Sequence, residues 1–370
     1  MNTHMRLAAS AAMTAAIAGL LGASAAAPAS AATGATARLQ NGVLTITGTA
    51  ARDVLGISIG HRQLAIDFGF DGTVDARFLM SRIQRVSVQL GDGNDGISVI
   101  GAGVGDVPIT MSGGPGNDAL GVVGTEDALL AHSAPVTISG GGGNDNLSAS
   151  VPGLAPVSIA AGGGDDVVSG GDGSIGTEKI SLGAGNDKLV STLDVFSSPF
   201  TARNDVVDGG TGKDTLELRG TFESESLDLS ADAGHLIALH DGRDRTDSIN
   251  VENVTWFGFG GNDEGGFGDD ITVHDLSGTG VVNFTPDFSS PSDATAPNNS
   301  ADQLRVVGTP GDDHITVDSF GSTINVSGLT PAITPVLLNA NDVLRIDTLA
   351  GNDTVDSSGL PAGLVQLQVS

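Results

Sequence analysis

The sequence predicts an all-β fold, a right-handed parallel β-helix or β-roll-like solenoid with β-rich flanking modules. Three observations carry that expectation. A glycine-rich phrase closed by Asn-Asp, Asp-Asp or Lys-Asp recurs six times between Val86 and Leu216. Its closing aspartates, Asp95, Asp118, Asp145, Asp166, Asp187 and Asp214, stand 23, 27, 21, 21 and 27 residues apart. A period of 20-odd residues is the signature of stacked repeats. The composition agrees: 55 glycines, one Trp, no Tyr and 4% aromatics leave few large side chains for a globular core, whereas ladders of Val, Ile and Leu are enough for stacked repeats.

Each repeat has three parts. A short β-patterned run comes first: VSVQL, PITMS, PVTIS, PVSIA, KISL and VVD. The glycine loop follows, as in Gly140 to Asp145 or Gly209 to Asp214. An aliphatic residue two places past the aspartate, Ile97, Leu120, Leu147, Val168, Leu189 or Leu216, is placed to pin the next strand into the core. The two 27-residue steps read as a 21-residue repeat carrying a surface insertion, at 125–133 and 192–204.

The flanks read as follows. Leu7 to Leu21 is apolar and alanine-rich after His4 and Arg6, and Ala29-Ser30-Ala31 is a small-x-small cleavage site, so 1–31 is expected to be a secretory signal. Residues 38–100 alternate apolar and polar in the manner of half-buried strands. LTITGTAARDVLGI (44–57) aligns with LRVVGTPGDDHITV (304–317), and VSVQLGDGND (86–95) with LRIDTLAGND (344–353), at offsets of 260 and 258 residues. The module 303–370 is therefore a second copy of the first. Ala51-Arg52-Asp53 replaces Gly311-Asp312-Asp313, and the arginine there predicts no ion at Asp53. Between the modules lie the repeats of 101–220, a β continuation over 221–284 with loops closed by Asp263 and Asp270, and a Pro-, Ser- and Asn-rich stretch, 285–302, that reads as a linker or long exposed loop.

The formal charge is −28, and loss of Arg6 with the signal takes it to −29. Such self-repulsion destabilises a compact state unless cations bind, and it excludes nucleic acid and anionic membranes as partners. The repeat loops have the chemistry for a hard cation. Calcium takes six to eight oxygens in a forgiving geometry, glycines let carbonyls turn inward, and the aspartate adds a carboxylate.

The phrase is similar to the Gly-Gly-x-Gly-x-Asp-x-aliphatic-x nonapeptide of the RTX, or haemolysin-type, calcium-binding repeats. Gly140 to Ser148 and Gly209 to Glu217 match it at every defined position. The resemblance implies calcium as the cofactor, with Asp95, Asp118, Asp145, Asp166, Asp187 and Asp214 plus loop carbonyls as ligands, and the more isolated Asp270, Asp313 and Asp353 as similar sites. Family repeats run in tandem, whereas here a strand and return path separate the copies, so a roll and a wider β-helix both stand.

Other motifs are weaker. Gly56-Ile57-Ser58-Ile59-Gly60 spells a nucleophile elbow but lies in an alternating strand with no helix after it. Gly209 to Lys213 ends like a P-loop, but Val207 stands where its first glycine belongs. His235 and His240 are spaced to opposite faces of a strand and read as surface residues. No set of residues makes a catalytic hypothesis. The expected function is a secreted, non-enzymatic calcium-binding protein with a structural or binding role. The rival readings are an extracellular carbohydrate-active β-helix enzyme and an adhesin or surface-layer component.

Overall fold

A computed structural model describes residues 34–102, 104–125, 133–151, 153–170, 176–192, 204–220, 224–258, 267–290, 293–298, 300–321, 323–336 and 338–370. Residues 1–31, read above as a signal, and most of both insertions lie outside these residues. The described chain is nearly all β, with a single 3-10 turn at Met80–Arg82. None of its helices is long and apolar enough to cross a membrane. Two compact units divide the chain, one ending at Asp187 and one starting at Lys188. That cut falls inside the stretch 101–220.

The first unit holds two sheets. One runs in the spatial order Thr36–Gln40, Val43–Thr47, Arg85–Gln89, Ile109–Pro115, Val136–Gly142, Val157–Gly163 and Glu178–Ala184. The other runs Val167–Gly170, Asn146–Ser150, Ala119–Gly124, Gly96–Gly101, Val54–Ile59, Gln63–Phe68 and Ala76–Leu79. From Arg85 onward the chain visits the sheets alternately, so successive strands of one sheet pair in parallel. Each β-patterned run of the sequence supplies a strand of the first sheet, and each glycine loop leads into the second. The aliphatic residues after the loops stack in register as Leu55, Ile97, Leu120, Leu147 and Val168. Facing them, Val88, Met111, Ile138, Ile159 and Ile180 stack likewise. All ten are buried. Burial of such a side chain contributes roughly 1.5–3 kcal/mol, so this double ladder takes the place of an aromatic core. The 27-residue step from Asp118 to Asp145 does not disturb it, because Ile109 pairs with Val136 and Ala119 with Asn146 on either side of the insertion.

The second unit repeats the plan with interruptions. One sheet runs Asn204–Thr211, Asp244–Ile249, His235–His240, Ser226–Asp232, Phe267–Val273, Ala301–Val307, Val343–Asp347 and Gln366–Val369. The other runs Thr354–Gly359, His314–Phe320, Thr323–Ser327, Ala332–Ile333, Asn283–Asp287, Asn253–Phe257, Thr215–Arg219 and Lys188–Thr192. Its ladder is Leu189, Leu216, Val254, Phe284 and Ile333, which outlasts the glycine motif. The single Trp, Trp256, is fully buried beside it, in register with Leu218. The two terminal modules share one strand plan. Val54–Ile59 and His314–Phe320 each fold back into an antiparallel hairpin and each pair in parallel with a later strand.

The stretch 285–302 is no free linker. It contributes to strand Asn283–Asp287, the short antiparallel pair of Ser289–Ser290 with Asp293–Pro297, and the start of Ala301–Val307, and Phe288 is fully buried. Pro297 closes the short strand Asp293–Pro297, where a missing N–H costs least. The Gly-x-Ser-x-Gly phrase lies in strand Val54–Ile59, paired on both sides, so Ser58 has no elbow geometry.

Arg305 and Arg345 stand directly opposite on neighbouring strands, a repulsive placement. Asp347 relieves it: Oδ2 accepts Arg305 Nε at 2.5 Å, and Oδ1 accepts Arg345 Nε at 2.6 Å and Ser370 Oγ at 2.5 Å. Burial pushes this carboxyl up, but the hydrogen bonds of Ser370, Arg345 and Arg305 and the Arg305 charge outweigh it and hold it at about 2. A folded value below the unfolded one stabilises above the unfolded value of about 3.9, and the gain is lost as pH falls through about 2. Asp347→Asn is therefore expected to melt earlier than the parent at neutral pH and together with it below about pH 2. Thermal unfolding across an acid series measures this.

Candidate functional site

The repeat aspartates form a file of buried carboxylates at the corner where each loop enters the second sheet. In the first unit Asp53, Asp95, Asp118, Asp145, Asp166 and Asp187 are each 1–3% exposed. Every one ties to the next. The backbone N–H of Asp53 donates to Asp95 Oδ1 at 2.7 Å, Asp95 to Asp118 at 2.8 Å, Asp118 to Asp145 at 2.7 Å, Asp145 to Asp166 at 2.7 Å and Asp166 to Asp187 at 2.7 Å. Bonds from a backbone N–H to a carboxylate are among the strong ones. Each rung satisfies a buried donor that the turn into the strand would otherwise orphan.

A second, exposed ladder runs the other way. The residue before each aspartate is Asn94, Asn117, Asn144, Asp165 or Asn186. Asn117 N donates to Asn94 Oδ1 at 2.9 Å, Asn144 N to Asn117 at 2.9 Å, Asp165 N to Asn144 at 3.1 Å and Asn186 N to Asp165 at 2.8 Å. Adjacent loops thus exchange two side-chain bonds in opposite directions. Backbone bonds lace the loop crests between them, such as Gly116 N to Gly142 O and Gly143 N to Gly163 O, both 2.7 Å.

The run Gly140 to Gly143 shows why the motif needs glycine at some positions and not at others. A Cβ on Gly140 would lie 2.2 Å from Asp145 Oδ2 and 2.5 Å from the Ala161 carbonyl oxygen. Gly141 and Gly143 have φ of +123° and +116°, the left-handed region that side chains avoid. Gly142 meets nothing within 4 Å and has no positive φ. Its equivalents are Pro115, Gly163 and Ala184, a position open to other residues.

The inner oxygens set the chemistry. Oδ2 of Asp95, Asp118, Asp145 and Asp166 is buried with no partner in the protein. Burial is the main force raising these carboxyls, opposed by the backbone bond each accepts. Asp95 and Asp166 are pushed to about 6 and Asp145 to about 7, with neighbouring aspartates adding repulsion. Asp118 and Asp187 are raised for the same leading reason. A proton or a cation at Oδ2 relieves this cost.

The fit to calcium can be judged on these atoms. Asp95, Asp118, Asp145 and Asp166 each offer one uncommitted oxygen, and the cradle beside two of them brings a carbonyl, Gly140 O for Asp118 and Ala161 O for Asp145, to the same glycine. Among the described residues no three acidic or histidine side chains converge on one point. A shell would therefore join one carboxylate oxygen per rung to backbone carbonyls.

In the second unit, Asp214 is fully buried and its N–H donates to Glu252 Oε2 at 2.7 Å, an acid that the repeat pattern did not mark. Asp313 N donates to Asp353 Oδ1 at 2.9 Å. The two terminal modules are alike here as well: Thr49 N donates to Asp53 Oδ2 at 2.6 Å and Thr309 N to Asp313 Oδ2 at 2.8 Å. Arg52 does not displace Asp53 from the ladder.

Asp270 is a correction. It is exposed and accepts Gln303 Nε2 at 3.2 Å, whereas the buried rung is Asp269, one residue earlier, so Asp270 does not belong to the buried file. The physical reason is position: Asp269 sits at the opposite corner, where strands of the unit's first sheet begin, together with Glu225, Asp302 and Asp342, none of which the motif identified. His240 is also corrected. It is 4% exposed, with its ring centroid 6.0 Å from that of Trp256 at a tilt of 41°, while His235 is half-exposed and bonded to Asp247 Oδ1 at 2.6 Å.

Compared with protein-family models, with curated proteins and with solved structures, the chain matches none.

Gly140→Ala is expected to destabilise the first unit by about 1–3 kcal/mol through overpacking, and Gly142→Ala to stay within about 0.5 kcal/mol of the parent. Urea unfolding of the two variants side by side measures the contrast.

Proposed function

We propose that the chain is a secreted, non-enzymatic β-solenoid with a structural or binding role, its repeats clamped by the aspartate ladder and stabilised further by calcium. The observation that supports this reading most is the file of buried carboxylates whose outer oxygens accept from the preceding loop and whose inner oxygens in Asp95, Asp118, Asp145 and Asp166 have no protein partner. Asp187 and Asp214 occupy equivalent places in the repeat and belong to the same set. Calcium would supply positive charge at the inner oxygens, in a chain whose formal charge is −28. The likeness of the loops to RTX repeats points the same way. Asp53, Asp313 and Asp353 are assigned to the hydrogen-bonded ladder.

The division of labour between the two carboxylate oxygens makes the reading testable. Asp145→Asn keeps an acceptor for the N–H of Asp118 and removes the charge. A ligand that binds only the folded state adds roughly 2.7 kcal/mol at a hundredfold excess over its Kd. Millimolar calcium is expected to raise the melting temperature of the parent over that in chelator, and Asp145→Asn to fold in chelator yet gain less from calcium. Equal melting of the parent in calcium and in chelator would remove calcium from the proposal and leave the ladder alone as the clamp.

A further inference from the structure

The second unit carries another carboxylate file, at the corner where strands of its first sheet begin. Glu225, Asp269, Asp302 and Asp342 are 0–6% exposed. Glu225 N donates to Asp269 Oδ1 at 3.1 Å, Asp269 N to Asp302 Oδ1 at 2.8 Å and Asp302 N to Asp342 Oδ1 at 3.0 Å. No Gly-Gly-x-Gly loop leads into three of these four acids, so the repeat does not explain the file. Oδ2 of Asp269 is buried with no partner. A fully buried donor, Trp256 Nε1, is also without a partner and is aimed at the same spot: a Cβ on Gly258 would lie 1.9 Å from Asp269 Oδ2 and 2.7 Å from Trp256 Nε1.

The charges around the file are one-sided. Asp241 faces Asp269 and adds repulsion, as do Asp302 and Glu225, and Asp302 does the same to Asp342. The basic group beside it is His240, whose Nε2 is 3.9 Å from Glu225 Oε1 and 3.9 Å from Asp241 Oδ2. Amide groups fill the far end, where Asn339 N donates to Asp342 Oδ2 at 2.6 Å and Asn339 Nδ2 to the Asn298 carbonyl at 3.2 Å. Carboxylates threaded this closely through a dry corner cannot all be ionised.

We propose that Glu225, Asp269, Asp302 and Asp342 form a proton-held latch, closed while the file carries protons and loosened when it loses them above neutral pH. The direction follows from the folded state. Burial, with repulsion from Asp302 and Glu225, pushes Asp269 up to about 8. Burial likewise raises Asp302 against the bonds from Asp269 and Asn298, and it takes Asp342 to about 7 against the bonds from Asn339 and Asp302. Folded values above the unfolded value of about 3.9 stabilise fully below that value, and the gain is lost as pH rises through about 7 to 8. The latch is distinct from the calcium reading, and its test is run in chelator.

Trp256 is the one tryptophan of the chain, so its fluorescence reports on this corner alone. The full chain in chelator is expected to show a change in tryptophan emission between about pH 6 and pH 9, with a lower urea midpoint at the alkaline end. Asp269→Asn is expected to shrink both changes. His240→Gln is expected to keep them, which separates the latch from quenching by a protonated imidazole. If Asp269→Asn does not fold, Asp342→Asn takes its place in the same measurement. Emission and urea midpoint that stay flat in the parent, or changes that vanish in His240→Gln and persist in Asp269→Asn, would overturn the latch.

Discussion

An aspartate entering a strand leaves its own N–H pointing along the stacking direction, toward the next repeat. The whole arrangement depends on what receives that N–H. In this chain it is the carboxylate of the next aspartate, at 2.7–2.8 Å through the first unit. That bond draws the carboxylate inside, and everything else at the corner follows. The glycine five residues back in the Gly140 loop has no space for a side chain because the carboxylate lies against it. The aliphatic residue two places on falls into the ladder because the strand begins in a fixed register.

The same bond creates an electrostatic problem. One oxygen is well served, and the other is taken out of water with nothing in return. Repeating the unit lines the cost up in a column, where each carboxylate also feels its neighbours. A globular protein would place an arginine among such groups, as this chain does at Asp347 with Arg305 and Arg345. A repeat cannot easily do so, because a guanidinium does not fit a step set by strand spacing of about 4.8 Å. Small charge carriers, a proton or a bare cation, fit that step. The two corners of the fold answer the problem in the two ways we propose.

The repeat was legible because its spacing is a physical length. The intervals of 23, 27, 21 and 21 residues between aspartates are the intervals spanned by the ladder bonds themselves. The strands and the aliphatic ladder follow from the same periodicity. The chemistry at the corner was harder to read. A buried aspartate and a loop aspartate look the same in sequence, and the Asn or Asp before each one gave no hint that it bonds in the opposite direction. Asp269 and Asp270 show the limit: in Asp165-Asp166 the second acid is the buried rung, while in Asp269-Asp270 it is the first, because the two pairs enter different sheets. Asp302 and Asp342 belong to no repeat of fixed length and could only be seen once the strands were paired.

The opposed directions of the two loop ladders bear on how such a chain can change its length. The rungs at Asp118, Asp145 and Asp166 each donate forward on the inside and backward on the outside, and they are interchangeable in this respect. Loss or duplication of one whole 21-residue repeat between Asp145 and Asp187 rejoins a forward donor to a carboxylate and a backward donor to an amide or acid. Loss of a single residue from the loop does neither, since it exchanges the buried acid for its exposed neighbour and turns the following strand over. Genetic change by whole repeats is thereby nearly silent, and change by single residues is not. Surplus residues can collect only between strands, as they have in the 27-residue step from Asp118 to Asp145, where the pairing resumes unaltered on the far side.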